Sequence, residues 1–345
     1  MNTPATFISH QNLLTLLTSI MSGGSELFAP RKIDGKLFLS RITGVDQIAL
    51  DPQPTIESAK SLLFPRVERL LSYERTSDGV RVDDPSVAHV PERVVFGTRP
   101  CDAAGFKRLV EFFAAEIPDA FVGNRRDALT VISMSCSESD ADCFCTSVGG
   151  GPGDTKGSDI LLTAIGDRRY SIECLTDRGE KLLGFHATLL EKGDAIEKAK
   201  YLAVVELVEE LAGLEAELKK SFDHPFWNEA SLRCLGCGAC AYVCPVCSCF
   251  DIEDEGTASN GERLRCWDSC AFALFTLHTS GHNPRPTQSD RWRQRMMHKF
   301  SYEPERLGFP GCVGCGRCSR ACPADMNLKE QIREAATRLA VKGAQ

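Results

Sequence analysis

The sequence predicts an α/β (α+β) amino-terminal domain followed by a mainly α-helical, cysteine-rich domain, and three observations predict it. First, β-rich and helical runs alternate in "RVVFGT" (93–98), "CDAAGFKRLVEFFAAE" (101–116) and "ALTVISMSC" (128–136). Phe106, Leu109, Val110 and Phe113 recur at helical spacing, while the flanking runs are short and apolar, as buried strands are. Second, "EKGDAIEKAKYLAVVELVEELAGLEAELKKSF" (191–222) is charged, spaced like a helix, and reads as a bridge. Third, cysteines crowd the chain beyond 225 among short helical segments, which close on the amphipathic "LKEQIREAATRLAVK". The expected divisions are 1–190, 191–224 and 225–345.

The remaining elements follow in order. In "MNTPATFISHQNLLTLLTSIM" the spaced Leu and Ile predict an amphipathic helix. A signal peptide would need a basic start, a compact apolar centre and a small-residue cleavage site. "GKLFLSRI" is a short apolar segment between Pro and Gly breaks. "GGGPGD" (149–154) lacks the helix start that phosphate binding needs and reads as a flexible turn. "DILLTAIGDRRYSIEC" holds two β-type runs around a polar turn, a hairpin.

A length of 345 residues suits two domains, and 43% hydrophobic with 25% charged residues is an ordinary soluble profile. The net charge of −7 argues against nucleic acid or an anionic membrane as the main partner. No apolar run approaches the length of a spanning helix, so direct membrane insertion is not expected. The expected setting is cytoplasmic, where clustered cysteines hold metal or do redox chemistry and disulfides are rare. This chain has 17 cysteines.

Cys234, Cys237, Cys240 and Cys244 are spaced C-x2-C-x2-C-x3-C-P, and Cys312, Cys315, Cys318 and Cys322 repeat that spacing. This is the bacterial ferredoxin run, in which three thiolates of one loop bind one [4Fe–4S] cluster and the outlying fourth serves the cluster of the other run. One cluster is therefore expected on Cys234, Cys237, Cys240 and Cys322, and a second on Cys312, Cys315, Cys318 and Cys244. Pro245 and Pro323 fix the exit of each loop. A zinc site would show two C-x2-C pairs across a gap, not three evenly spaced thiols. The 67 residues between Cys244 and Cys312 suit the helical type of two-cluster ferredoxin domain.

Cys101, Cys136, Cys143 and Cys145 lie at two strand ends, the right number of thiolates for a third [4Fe–4S] cluster. "SESDAD", before Cys143, is too polar for a core, which weakens a packing role for them. Cys247, Cys249, Cys266 and Cys270 form another set of four, for a fourth metal centre or as thiols supporting the neighbouring clusters; matching no cluster spacing, they read as thiols without a cluster. Cys174 reads as a buried structural thiol. His278, His282 and His298 read as surface or packing residues, "RWRQRMMHKF" as a solvated helix face, and Trp292 and Tyr302 as packing.

With these motifs assembled, the chain resembles the iron–sulfur beta subunit of cytosolic NiFe hydrogenases (sulfhydrogenases) and the A subunit of anaerobic sulfite reductase. The matching segments are "SAKSLLFPRVERLLSYE", "GTRPCDAAGF", "DCFCTSVGGGP", "CLGCGACAYVCPVCSCFDI", "RCWDSCAFALFTLHTSGHNPRP", "RQRMMHKF" and "GCVGCGRCSRACPADM", in order across nearly the whole chain. The resemblance implies an electron conduit beside a flavoprotein subunit that binds FAD and NAD(P)H and a separate catalytic subunit of a hydrogenase or reductase. It supports both ferredoxin-type ligand sets and favours a cluster on Cys101, Cys136, Cys143 and Cys145.

The chain has no G-x-G-x-x-G after a strand and no G-x-x-x-x-G-K-[ST], and no C-x-x-C pair is left over for a NiFe site. Wiring is present without a recognisable reaction centre. The expectation is an anaerobic iron–sulfur electron-transfer subunit of an oxidoreductase complex, not catalytic alone. The alternatives are a subunit feeding a heterodisulfide-reductase-like or other reductase complex, and a reductase using a cluster with an open site.

Overall fold

The computed structural model describes residues 5–50 and 53–340. The first four residues of the expected amino-terminal helix and residues 341–342 of the closing one lie outside the described residues. The described residues open on a strand, β1 (Ala5–Ser9), and the helix starts only at α1 (His10–Ser22). Ser9 caps α1 by accepting from the Asn12 N–H, and Leu13, Leu16, Leu17 and Ile20 bury one stripe.

Next come β2 (Glu26–Ile33), β3 (Lys36–Ile42), β4 (Val67–Thr76), β5 (Gly79–Asp83) and β6 (Arg93–Thr98). The expected strand–helix–strand unit continues through α2 (Pro100–Ala114), α3 (Ala120–Asp127) and β7 (Leu129–Met134). β8 (Ile160–Ala164) and β9 (Arg169–Cys174) form the expected hairpin, followed by α4 (Asp177–Gly184) and β10 (Glu191–Gly193).

Eight strands make one sheet in the order β10-β1-β9-β8-β7-β6-β2-β3. Its centre, β2-β6-β7-β8, is parallel. β7 is buried along its whole length, as a strand covered on both faces must be. Leu13, Leu17 and Ile132 belong to the core on one face, and Phe64, Phe106 and Val131 to the core on the other. Because β6 and β7 run the same way, their carboxyl ends open on one edge, the usual place for a site in such sheets.

The expected helical bridge is corrected. Within 191–224 only α5 (Leu214–Lys220) is an α-helix; the rest is β10, irregular chain and single tight turns. The backbone amides that a helix would use go elsewhere: Ala203 N–H donates to Cys136 O at 2.8 Å and Val208 N–H to Ser147 Oγ at 2.8 Å.

The carboxyl-terminal part holds α6 (Phe226–Ala230), α7 (Ala239–Tyr242), β11 (Phe250–Gly256), β12 (Asn260–Trp267) and α8 (Gln288–Met297). One wide helical turn over His298–Tyr302 leads to α9 (Glu303–Leu307), α10 (Arg317–Arg320) and α11 (Leu328–Ala340). Trp227, Trp292, Met296, Phe300 and Ile332 form its core, which Phe144 and Val148 complete from the first half. The β11–β12 hairpin adds two strands to a part expected to be mainly helical. β12 pairs with β4, giving a second, antiparallel sheet in the order β11-β12-β4-β5. The halves are therefore interlocked through a shared sheet as well as a shared core.

Candidate metal centre

Both ferredoxin-type runs follow the same backbone path. Gly236 and Gly314 have φ of 67° and 64°, Gly238 and Gly316 74° and 70°, and each run enters a four-residue helix, α7 or α10. Crowding reinforces the left-handed turn at Gly314: a Cβ there would lie 2.5 Å from Cys145 N and from Phe144 C. Phe144 N–H donates to Gly314 O at 2.8 Å, so the second run docks on the "CFC" loop.

Cys234, Cys237, Cys240 and Cys322 line one cavity of about 30 Å³, with Cys318 also on its wall. The outlying cysteine of the second run thus sits with the first run. Cys244, the outlying cysteine of the first run, is buried, as are Cys312 and Cys315. Burial pushes the Cys312 thiol up to about 11 and Cys318 to about 12, and the charges of Cys244 and Cys315 bear on both.

Cys101, Cys136, Cys143 and Cys145 line a larger cavity of about 120 Å³, with Gly314 and Cys315 on its wall. Cys101 enters from the first turn of α2 beyond β6, Cys136 from just beyond β7. Burial pushes Cys136 up to about 11 and Cys145 to about 12. α2 packs close to the first run: a Cβ on Gly105 would lie 2.7 Å from Pro245 Cβ. Arg108 of α2 donates to Pro310 O and Val148 O, each at 2.8 Å, and to Cys312 O.

The "GGGPGD" loop, expected to be a flexible turn, is tied in place. Cys136 N–H donates to Pro152 O at 2.8 Å and Lys198 Nζ to Gly153 O at 2.8 Å.

Donors point at sulfur. Gln288 Nε2 lies 3.1 Å from Cys234 Sγ, Gly314 N–H 3.4 Å from Cys312 Sγ, Met326 N–H 3.3 Å from Cys322 Sγ, and Lys299 Nζ 3.6 Å from Cys244 Sγ. Such donors stabilise thiolate ligands and tune a cluster's potential. Thiols around cavities with N–H groups aimed at sulfur fit an iron–sulfur group. Among the described residues, no three His, Cys, Asp or Glu side chains are set to hold a single metal ion.

Other expectations are corrected. The basic stretch "RWRQRMMHKF" buries Arg291, Arg295 and Lys299 instead of exposing a charged face. Burial opposes the charge on Lys299, yet the Cys244 and Cys247 thiolates raise its pKa well above the ordinary lysine value. For Arg295, burial is likewise outweighed by Cys240 and Cys247. The four-residue spacing of Arg295 and Lys299 beside Trp292 and Met296 was the available signal, since it puts all four on one side of a helix. Lys60 was missed altogether. It is buried, donates to Cys247 O at 2.9 Å and Ala241 O at 3.2 Å, and lies 3.8 Å over the Trp267 ring.

Cys174 is exposed, not buried. Cys247, Cys249 and Cys270 line a further cavity, whereas Cys266 sits on β12 opposite Asp251. His278 and His282 occupy an exposed turn. His298 packs 3.3 Å from Glu303; burial lowers the imidazole to about 4 and raises the carboxyl to about 7. Trp292 is buried against the first cavity, and Tyr302 lies on the surface.

Residues 233–326 match the 4Fe-4S dicluster domain family. Over 89% of its length the chain is 28% identical to the sulfhydrogenase 2 subunit beta of Pyrococcus furiosus, covering 92% of that protein. The chain is a homologue of the sulfhydrogenase beta subunit and carries a 4Fe–4S dicluster domain. It is also 28% identical, over 28% of its length, to the B subunit of the anaerobic dimethyl sulfoxide reductase of Haemophilus influenzae, covering half (50%) of that protein. The dicluster match contains every cysteine of both ferredoxin-type runs. Among the described residues no helix is long and apolar enough to cross a membrane.

Proposed function

We propose that this chain is the iron–sulfur electron-transfer subunit of a hydrogenase-like complex, relaying single electrons between a flavoprotein subunit that binds FAD and NAD(P)H and a separate catalytic subunit. Cys234, Cys237, Cys240 and Cys322 hold one [4Fe–4S] cluster, and Cys312, Cys315, Cys318 and Cys244 a second. Cys101, Cys136, Cys143 and Cys145 hold a third. The observation that carries this is the cavity that Cys322 shares with Cys234, Cys237 and Cys240. It supports the exchange of outlying ligands that a two-cluster ferredoxin requires.

Shared walls support an order for the relay. Cys315 walls the cavity of the third set and Cys318 that of the first, so the middle set adjoins both neighbours. At one end Cys237 is exposed beside Leu235, which is 71% exposed, an apolar approach for one partner. At the other end the cavity wall includes Gln53, Glu138 and Ser139, a polar approach for the second. When bound, the clusters supply one-electron carriers; the chain's own side chains set burial, hydrogen bonding and charge around them.

Anaerobic reconstitution of the full chain followed by iron and acid-labile sulfide determination tests this. The three sites account for about twelve irons, at four per cluster. A brown protein with at least about eight is expected, and four or fewer would contradict the dicluster assignment.

A further inference from the structure

Cys247, Cys249 and Cys270 lie outside the twelve thiols assigned above, yet they line one cavity together. Arg295, His298, Lys299 and Glu303 complete most of its wall. Its volume, about 20 Å³, is close to the 30 Å³ of the cavity that Cys234, Cys237, Cys240 and Cys322 surround. The thiols come from two segments, the chain leaving the first ferredoxin-type run and the loop after β12.

Two buried cations stand in this wall. Arg295 and Lys299 are only 3% and 5% exposed, and neither pairs with a carboxylate among the described ion pairs. Arg295 Nη1 lies 3.9 Å from Cys247 Sγ, and its buried Nε has no hydrogen-bond partner. Arg295 also faces Cys240 and Cys318, and Lys299 lies 3.6 Å from Cys244 Sγ, so the two cations stand between the ferredoxin-type sets and this cavity. Cys249 and Cys270 are within hydrogen-bond reach of each other, so the thiols converge across the two segments. The other thiol-lined cavities repeat the pattern with an arginine in the wall, Arg295 in one and Arg99 in the other.

We infer that Cys247, Cys249 and Cys270 hold a fourth [4Fe–4S] cluster, with His298 and Glu303 on the side that lacks a cysteine. This rests on the iron–sulfur reading of the chain and takes the alternative that the sequence favoured less, with three thiols in place of four because Cys266 is not part of the group.

The test is an iron and acid-labile sulfide count on the anaerobically reconstituted full chain and on the Cys249→Ser/Cys270→Ser double variant. About sixteen irons are expected in the unsubstituted chain and about twelve in the variant, which should keep the other reduced-cluster EPR signals. A count of twelve or fewer in the unsubstituted chain overturns the inference whether or not the variant folds. So does a variant that keeps all the iron. Eight to twelve irons remove only this site and leave the dicluster assignment standing, while a count of four or fewer removes both.

Discussion

Arg317 Nη2 donates to Asp102 Oδ2 at 2.8 Å, and the two side chains are only 1% and 2% exposed. Arg317 lies inside the second ferredoxin-type run, and Asp102 follows Cys101 in the first turn of α2. The pair therefore bolts the dicluster domain to the parallel sheet at the place where two thiol sets meet. Arg317 Nε also donates to Thr55 O at 2.8 Å. Removing one partner of a buried pair strands the other charge, at a cost of about 3–5 kcal/mol. Asp102→Ala should lower the urea midpoint of the metal-replete chain accordingly. The Asp102→Leu/Arg317→Met double variant should lose less than the two single changes summed, and strict additivity would refute the coupling.

Lys299 is expected to set the potential of the cluster held by Cys244. Its ammonium lies 3.6 Å from Cys244 Sγ and also donates to Gly311 O at 2.6 Å, with little water to screen it. A fixed positive charge favours the more negative, reduced cluster. Lys299→Met should lower that potential by about 59 mV or more, a tenfold change for a one-electron couple. Lys299→Arg should restore much of it. An EPR-monitored redox titration reads the shift, and an unchanged potential in the methionine variant would count against the contact.

Gly314→Ala and Gly308→Ala separate backbone strain from crowding. Both glycines have positive φ, 64° and 76°, so alanine costs about 1–2 kcal/mol at either. Nothing lies within 4 Å of a Cβ at Gly308, whereas at Gly314 the backbone of Phe144 and Cys145 is in the way. Gly314→Ala should cost a further 1–3 kcal/mol or so and reduce iron retention at the Cys101, Cys136, Cys143 and Cys145 site. Equal denaturation midpoints for the two variants would show that the docking against the "CFC" loop is loose.

Much of this arrangement was legible in the residues. The cysteine spacing repeats because each loop must present three thiols at once, and the glycines mark the left-handed turns that allow it. The strands beyond which Cys101 and Cys136 lie were visible as apolar runs. The stretch 194–213 was not, because its apolar spacing mimics a helix while its partners are distant: Val208 is buried, yet Val204 is 91% exposed. The β11–β12 hairpin hides in "FDIEDEGTASNGERLRCW", whose short alternation was outweighed by charge and whose Asn260–Gly261 step opens β12 while the turn lies at 257–259. The buried role of Arg295 and Lys299 depends on thiols brought together only by the fold, which no local pattern records.

The irregular segment is held to α11 by charge. Glu206 accepts from Lys329 Nζ at 2.5 Å and Arg333 Nη2 at 2.6 Å, and these hydrogen bonds hold its carboxyl below the usual 4.5. Because the folded value is depressed, the contribution is present above the unfolded value and is lost as pH falls through the folded one. Glu206→Gln should therefore lower the urea midpoint slightly at neutral pH, with the difference vanishing on the acid side. A difference that grows on acidification would contradict the assignment.

The exchange of outlying cysteines between the two runs is tested most directly by comparing the reduced-state EPR spectra of Cys237→Ser, Cys322→Ser and Cys318→Ser chains. Cys322→Ser should perturb the same cluster signal as Cys237→Ser and leave the signal altered by Cys318→Ser intact. If Cys322→Ser instead alters the Cys318 signal, each run closes on its own cluster and the interlocked relay is wrong.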